Sequence, residues 1–211
     1  AGLRTDDIYA PFPEEMNRRV VSAFASLHFA PTEQAHARLL TEQIKPETVF
    51  CTGNTVVDAL HMIKERIDFG SVAVSDLLKI KIAQAKSAGK KIVVLTMHRR
   101  ESFDGGIKRV LQTVRAFLQK YSDVMCVYPF HPNPHVVHVL HEIGLSELPN
   151  CFVCEPLSYQ NVVYLLDNAD FVLTDSGGIQ EEAICLGKSV LVLREKTERQ
   201  EGVQCGLAEL V

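Results

Sequence analysis

The chain has 211 residues, 46% of them hydrophobic and 23% charged, with a formal net charge of −4. That composition leaves enough apolar material for a sizeable core and no surplus of basic residues to neutralise a nucleic-acid backbone, so any anion must be held by a local cluster. No apolar run reaches the roughly 18–20 residues of a membrane span, and no basic-then-apolar leader opens the chain, which reads as cytoplasmic.

In chain order, the first 50 residues carry a helix from about 14 to 27 entered through Pro13, a short strand at "HFAP", a helix from 32 to 43 and a strand at "TVFC". They read as the tail of a preceding domain, residues 1–54. "TGNTVVDAL" is the crossing point, with Gly53 and Asn54 for the turn and a helix from Thr55 to about 67. Residues 68–75 read as a surface loop. From about residue 90, apolar runs at 91–97, 124–130, 151–153, 171–175, 189–194 and 207–211 read as strands covered on both faces. Helical patterns lie between them at 105–120, 134–143, 159–168 and 178–187, with starts at Asn133-Pro134 and Ser158. This alternation predicts an α/β fold, a Rossmann-type doubly wound parallel sheet over residues 55–211, whose ligands sit at the carboxyl ends of the strands. The chain begins without Met and ends on the strand "LAELV", so it reads as a fragment of a longer protein.

Three strand ends on that edge carry groups suited to an anion. "TDSGGIQEEA" (174–183) places Ser176, Gly177 and Gly178 at a helix start, where free N–H groups and the helix dipole favour a phosphate. Glu181 and Glu182 follow one turn in. A carboxylate there can accept the two hydroxyls of a ribose, which suits a nucleoside diphosphate better than free phosphate. "TMHRRES" supplies His98, Arg99 and Arg100, and "REKTERQEG" supplies Arg194 and Arg199. Their convergence points to a nucleotide or nucleotide sugar. His131 stands at a further strand end, before a rigid Pro-Asn-Pro turn. In "YAPFPEEMNRR", prolines 11 and 13 fix the approach to a helix opened by Glu14 and Glu15; Glu14 is a candidate acid or base if that start faces the cleft.

Two patterns invite a metal reading and fall short of it. The six cysteines have no regular spacing and read as reduced thiols, and "CFVC" (151–154) flanks a short apolar strand rather than opening a helix. His135, His138 and His141 repeat at a spacing that does not put all three on one helix face, and no carboxylate joins them. No metal site is expected.

Taken together, "AGLRT", "PFPEEMNR", "TGNTVVDAL", "HRRESF", "YPFHPNP", "LTDSGGIQEEA", "LGKSVLVLR" and "TERQEG" make the whole chain resemble the bacterial non-hydrolysing UDP-N-acetylglucosamine 2-epimerases. The resemblance implies a glycosyltransferase-B-like fold with two Rossmann-type domains facing a cleft. It implies interconversion of UDP-N-acetylglucosamine and UDP-N-acetylmannosamine, for cell-surface polysaccharide synthesis, without metal or nicotinamide. The implied route is removal of the C2 proton with anti elimination of UDP to 2-acetamidoglucal, then re-addition from that intermediate. Carried over by motif, Ser176, Gly177 and Gly178 hold the diphosphate, Glu182 binds the ribose, and His98 and Arg199 contact the nucleotide. Glu14 and His98 are the implied catalytic residues. Arg99, His131 and Glu14 border a site for a second UDP-N-acetylglucosamine acting as activator. A homodimer is implied for the full-length protein.

The sequence departs from the family in places. Leu157 and Val162 stand where related sequences often carry Gln and Phe, and the family's Glu directly before Ala-Gly-Leu-Arg-Thr precedes Ala1. The 211-residue chain by itself is therefore expected to be inactive. A UDP-sugar glycosyltransferase of the same fold and a non-catalytic nucleotide-sugar sensor are the alternative readings.

Overall fold

A computed structural model describes residues 1–97, 106–194 and 196–211. The chain opens with an irregular segment of turns and helix α1 (Glu14–Phe24), followed by β1 (His28–Ala30), α2 (Glu33–Thr41) and β2 (Val49–Cys51). The two strands pair in parallel, and Ala30, Ala35, Leu39 and Val49 form a small core beneath them. The first two helices stop earlier than their apolar patterns suggest. Ala25 turns extended to reach β1, and Gln43 takes a left-handed backbone just after α2, so neither helix can continue.

The long helix α3 (Thr55–Asp68), capped by the Asn54 side chain on the Val56 N–H, leads into the second unit. There α4 (Asp76–Ser87), β3 (Lys91–Thr96), α5 (Gly106–Lys120), β4 (Val124–Pro129), α6 (Pro134–Ile143) and β5 (Cys151–Cys154) come first. They are followed by α7 (Tyr159–Asn168), β6 (Phe171–Thr174), α8 (Gly177–Cys185), β7 (Ser189–Val192), the short α9 (Gln200–Gln204) and β8 (Ala208–Leu210). Two of these helices, α4 and α9, are absent from the sequence reading. In α4, Leu77 and Ile80 face solvent while Leu78, Ile82 and Ala85 are buried, so apolar residues occur on both faces and blur the periodicity. The stretch read as a loop before α4 is irregular, but its Val74 is buried in the core.

Among the described residues the strands of the second unit form one parallel sheet in the order β5-β4-β3-β6-β7-β8. Counted from β3, this is the 3-2-1-4-5-6 order of the doubly wound fold, and the direction of winding reverses between β3 and β6. Alternation of side chains along each strand builds two cores. Val94, Val127, Val172, Val190 and Val192 pack with α4, α7 and α8 on one face. Leu95, Cys126 and Tyr128 pack with α5 and α6 on the other. Cys126 and Cys151 are in register on neighbouring strands, and burial, with the charge of Cys151, pushes the Cys154 thiol up to about 11, away from the reactive thiolate. His135, His138 and His141 are exposed on α6, whose Val136, Val139 and Leu140 supply its buried side. No helix among the described residues is long and apolar enough to cross a membrane.

Candidate nucleotide site

The site sits at the reversal between β3 and β6. Thr96 and Thr174 pair in register at the carboxyl ends of these strands, with their hydroxyls 2.6 Å apart. Thr174 Oγ1 also accepts the Ser176 N–H at 2.9 Å, which turns the chain off the strand and into α8. His98, Arg99 and Arg100 follow β3 in the sequence and lie outside the described residues. His131 is exposed beyond the end of the adjacent β4, and its Nδ1 accepts the Asn133 N–H at 3.2 Å.

Helix α8 begins one residue earlier than its sequence pattern suggests, at Gly177, with Ser176 as its N-cap. The cap is long, 3.5 Å from Ser176 Oγ to the Ile179 N–H. The preceding N–H groups of the first turn have no acceptor within the helix. At Gly178 an added Cβ would meet nothing within 4 Å, so the backbone is open. At Gly177 it would lie 2.4 Å from Cζ of Arg199, because the guanidinium rests directly on the glycine backbone. Glycine here is a seat for an arginine, and the helix dipole and a fixed cation point at the same spot.

The two glutamates of α8 have separate tasks. Glu181 accepts Arg199 Nε at 2.7 Å on one oxygen and Asn54 Nδ2 at 2.6 Å on the other. Its charge is thereby spent on holding the arginine and tying α8 to the start of α3. Glu182 is buried; desolvation raises its carboxyl above the ordinary range, opposed by a hydrogen bond from the Tyr159 hydroxyl, while the charge of Glu181 adds to the rise. A half-desolvated carboxylate one turn into the helix is suited to accept a pair of hydroxyls.

Arg199 is fixed from a second side by a residue that the sequence reading passed over. Glu198 is 4% exposed, and its Oε1 accepts from Arg199 Nη1 and, at 3.2 Å, from Arg18 Nη2 on α1; its Oε2 accepts from Arg194 Nη1 at 3.0 Å. Burial works against its charge, yet the guanidiniums of Arg199 and Arg194, a backbone N–H and Arg18 outweigh that and hold the carboxyl at about 2. Arg18 in turn reaches Glu15, which is fully buried and also receives Arg19. The one available signal was the Arg194–Glu198 spacing of four residues.

Glu14, the candidate acid or base, is exposed at the first position of α1. It lies one helical turn before Arg18, which reaches Glu198. The structure thus brings Ser176, Gly177, Gly178 and Arg199 together, with Glu182 behind them and α1 docked alongside through Arg18. A cavity of about 800 Å³ opens next to this wall, lined in part by Leu173, Leu191, Leu193, Arg194 and Lys196. It does not include the α8 start, which is an open edge of the sheet rather than part of that cavity.

The chain matches the family described as UDP-N-acetylglucosamine 2-epimerase over residues 1–211. A probable UDP-N-acetylglucosamine 2-epimerase of Ralstonia solanacearum is 44% identical over the whole chain, which spans 56% of that relative. The Neisseria meningitidis UDP-GlcNAc 2-epimerase solved with UDP-GlcNAc superposes over all of the chain and 56% of its own length, with 42% identity and a TM-score of 0.89. The S. aureus MnaA–UDP complex covers 99% of the chain and 53% of its own length, with 40% identity and a TM-score of 0.87. The chain therefore spans a little over half the length of the relatives it matches, and its fold is the glycosyltransferase-B-like α/β fold of these proteins.

Proposed function

Because the chain belongs to the UDP-N-acetylglucosamine 2-epimerase family, we propose that it forms the UDP-binding part of an enzyme interconverting UDP-N-acetylglucosamine and UDP-N-acetylmannosamine. The observation that carries this reading is the seating of Arg199 on Gly177 at the start of α8, beside the reversal point of the sheet. In this reading the N–H groups of Gly177 and Gly178 and the Arg199 guanidinium grip the diphosphate beside Ser176, whose own N–H is taken by Thr174 Oγ1 and whose role is to cap the helix, and Glu182 accepts the ribose hydroxyls. His98 contacts the nucleotide and takes part in catalysis. Glu14 exchanges a proton on the sugar side. A base takes the C2 proton, the C1–O bond breaks, and UDP departs with the electron pair to leave 2-acetamidoglucal; re-addition with protonation from the opposite face gives the epimer. Firm donors on the departing diphosphate stabilise the charge that develops on it.

The division of labour follows the two sheets. Residues 1–54 with β1 and β2 are the C-terminal part of a first Rossmann-like domain, and residues 55–211 are the UDP-binding domain. Arg99 and His131 border an activator site for a second UDP-N-acetylglucosamine, the native-length protein works as a cytoplasmic homodimer, and the 211-residue chain alone binds UDP weakly without turnover. The test is to incubate the native-length protein with UDP-N-acetylglucosamine in heavy water without an acceptor. Deuterium at C2, with UDP-N-acetylmannosamine formed, is the expected result. Bound UDP-sugar with no C2 exchange would replace this reading with a transferase or a sensor.

A further inference from the structure

We propose that Glu198 is a positioning residue of this site, fastening the arginine that lies over the α8 start to the helix that begins at Glu14. The inference rests on the UDP reading above. Its basis is the division of the two Glu198 oxygens. Oε2 is taken by Arg194, close by in sequence, whereas Oε1 is shared between Arg199, which covers Gly177, and Arg18, which belongs to α1. A single buried atom therefore joins the diphosphate end of the second unit to a helix 180 residues away in sequence.

The neighbouring charges make the junction specific. Arg18 is also held by Glu15, and Arg199 by Glu181, so each guanidinium has a second carboxylate besides the shared one. Glu181 holds its Nε and Glu198 its Nη1, so Arg199 meets a diphosphate at the α8 N-terminus already in place. With the arginine held there, Oε1 of Glu198 also keeps Arg18, and with it α1, beside the loaded site. A structural ion-pair cluster alone would stabilise the fold without making turnover at the loaded site depend on the residue on α1.

Coupling between Arg18 and Glu198 in turnover, with a different pattern in UDP affinity, separates these cases. The native-length protein is compared with Glu198→Gln, Arg18→Gln and the double variant, measuring UDP affinity by calorimetry and kcat and KM for epimerisation. Glu198→Gln is expected to weaken UDP and lower kcat, each about tenfold; Arg18→Gln is expected to lower kcat about tenfold while UDP affinity changes less than about threefold. In the double variant kcat is expected to fall no further than in Glu198→Gln. Multiplicative losses in kcat, or a Glu198→Gln variant with unchanged kcat, would overturn the proposal. Should Glu198→Gln fail to fold, Glu198→Asp is substituted: the shorter carboxylate keeps the charge, and the same non-additivity with Arg18→Gln is expected. Failure of the unmodified protein to bind UDP would overturn the underlying reading as well, whereas UDP binding without coupling would overturn only the role of Glu198.

Discussion

Helices α6 and α8 both start at the carboxyl edge of the same sheet, each with a side-chain cap, yet their first turns are chemically opposite. At α6 the Asn133 side chain takes the His135 N–H at 2.9 Å, and Pro134 has no N–H to offer, so the helix start is closed. At α8 the Ser176 cap is long, two glycines follow, and a guanidinium lies on the first of them. Position in the fold is shared by the two helices. What distinguishes a binding site is that the α8 backbone has been left bare and given a cation, held in turn by Glu181 and Glu198.

That contrast can be broken most sharply at Gly177. Replacing it with Ala puts a methyl where the guanidinium sits, and UDP affinity should fall about tenfold to a hundredfold, the worth of a charge-assisted contact, with some loss of thermal stability as Arg199 is pushed from buried Glu198. Calorimetry beside a melting curve measures both; unchanged affinity would mean that the seat is irrelevant to binding.

A smaller effect concerns Glu182. Desolvation raises its carboxyl, and if the ionised form accepts the ribose, UDP affinity is full above that raised value and is lost as the pH falls through it. The decline should therefore begin at a higher pH than for an ordinary glutamate. Glu182→Gln should bind UDP about tenfold more weakly at neutral pH and show no such decline. An identical pH profile in the variant would assign the titration to another group.

The smallest effect is the control on the closed helix. Asn133→Ala should cost about 1 kcal/mol of stability, as the loss of an N-cap does, and leave UDP affinity unchanged. A fall in UDP affinity comparable to that of the Gly177 variant would erase the distinction between the two helix starts.

Much of this fold is legible in the sequence because parallel strands buried on both faces leave long apolar runs, and helices with one apolar face repeat at helical spacing. The bounds of α6 and α7 follow from Asn133-Pro134 and Ser158 to the residue. Helix α4 is not legible, since exposed Leu77 and Ile80 mimic a second buried face. At the site, the strand–Gly-Gly–helix pattern reveals the open backbone of α8. It says nothing of which glutamate does what, because the partners that separate Glu181 from Glu182 are Asn54, Arg199 and Tyr159, all distant in sequence. Glu198 offers little beyond its four-residue spacing from Arg194 for the same reason: an acidic residue between basic ones looks like a solvated turn until Arg18 arrives from α1. Likewise Glu14 and Glu15 look alike in sequence, and only the packing of α1 buries the second and exposes the first.

The central claim is that the α8 start, rather than the neighbouring α6 start, receives the diphosphate. Backbone amide resonances of the native-length protein, followed during a UDP titration, test it directly. The amides of Ser176, Gly177 and Gly178 should shift together and saturate with the calorimetric affinity, while those of Asn133 and His135 stay in place. Saturating shifts at Asn133 and His135 with none at Ser176 to Gly178 would contradict the account.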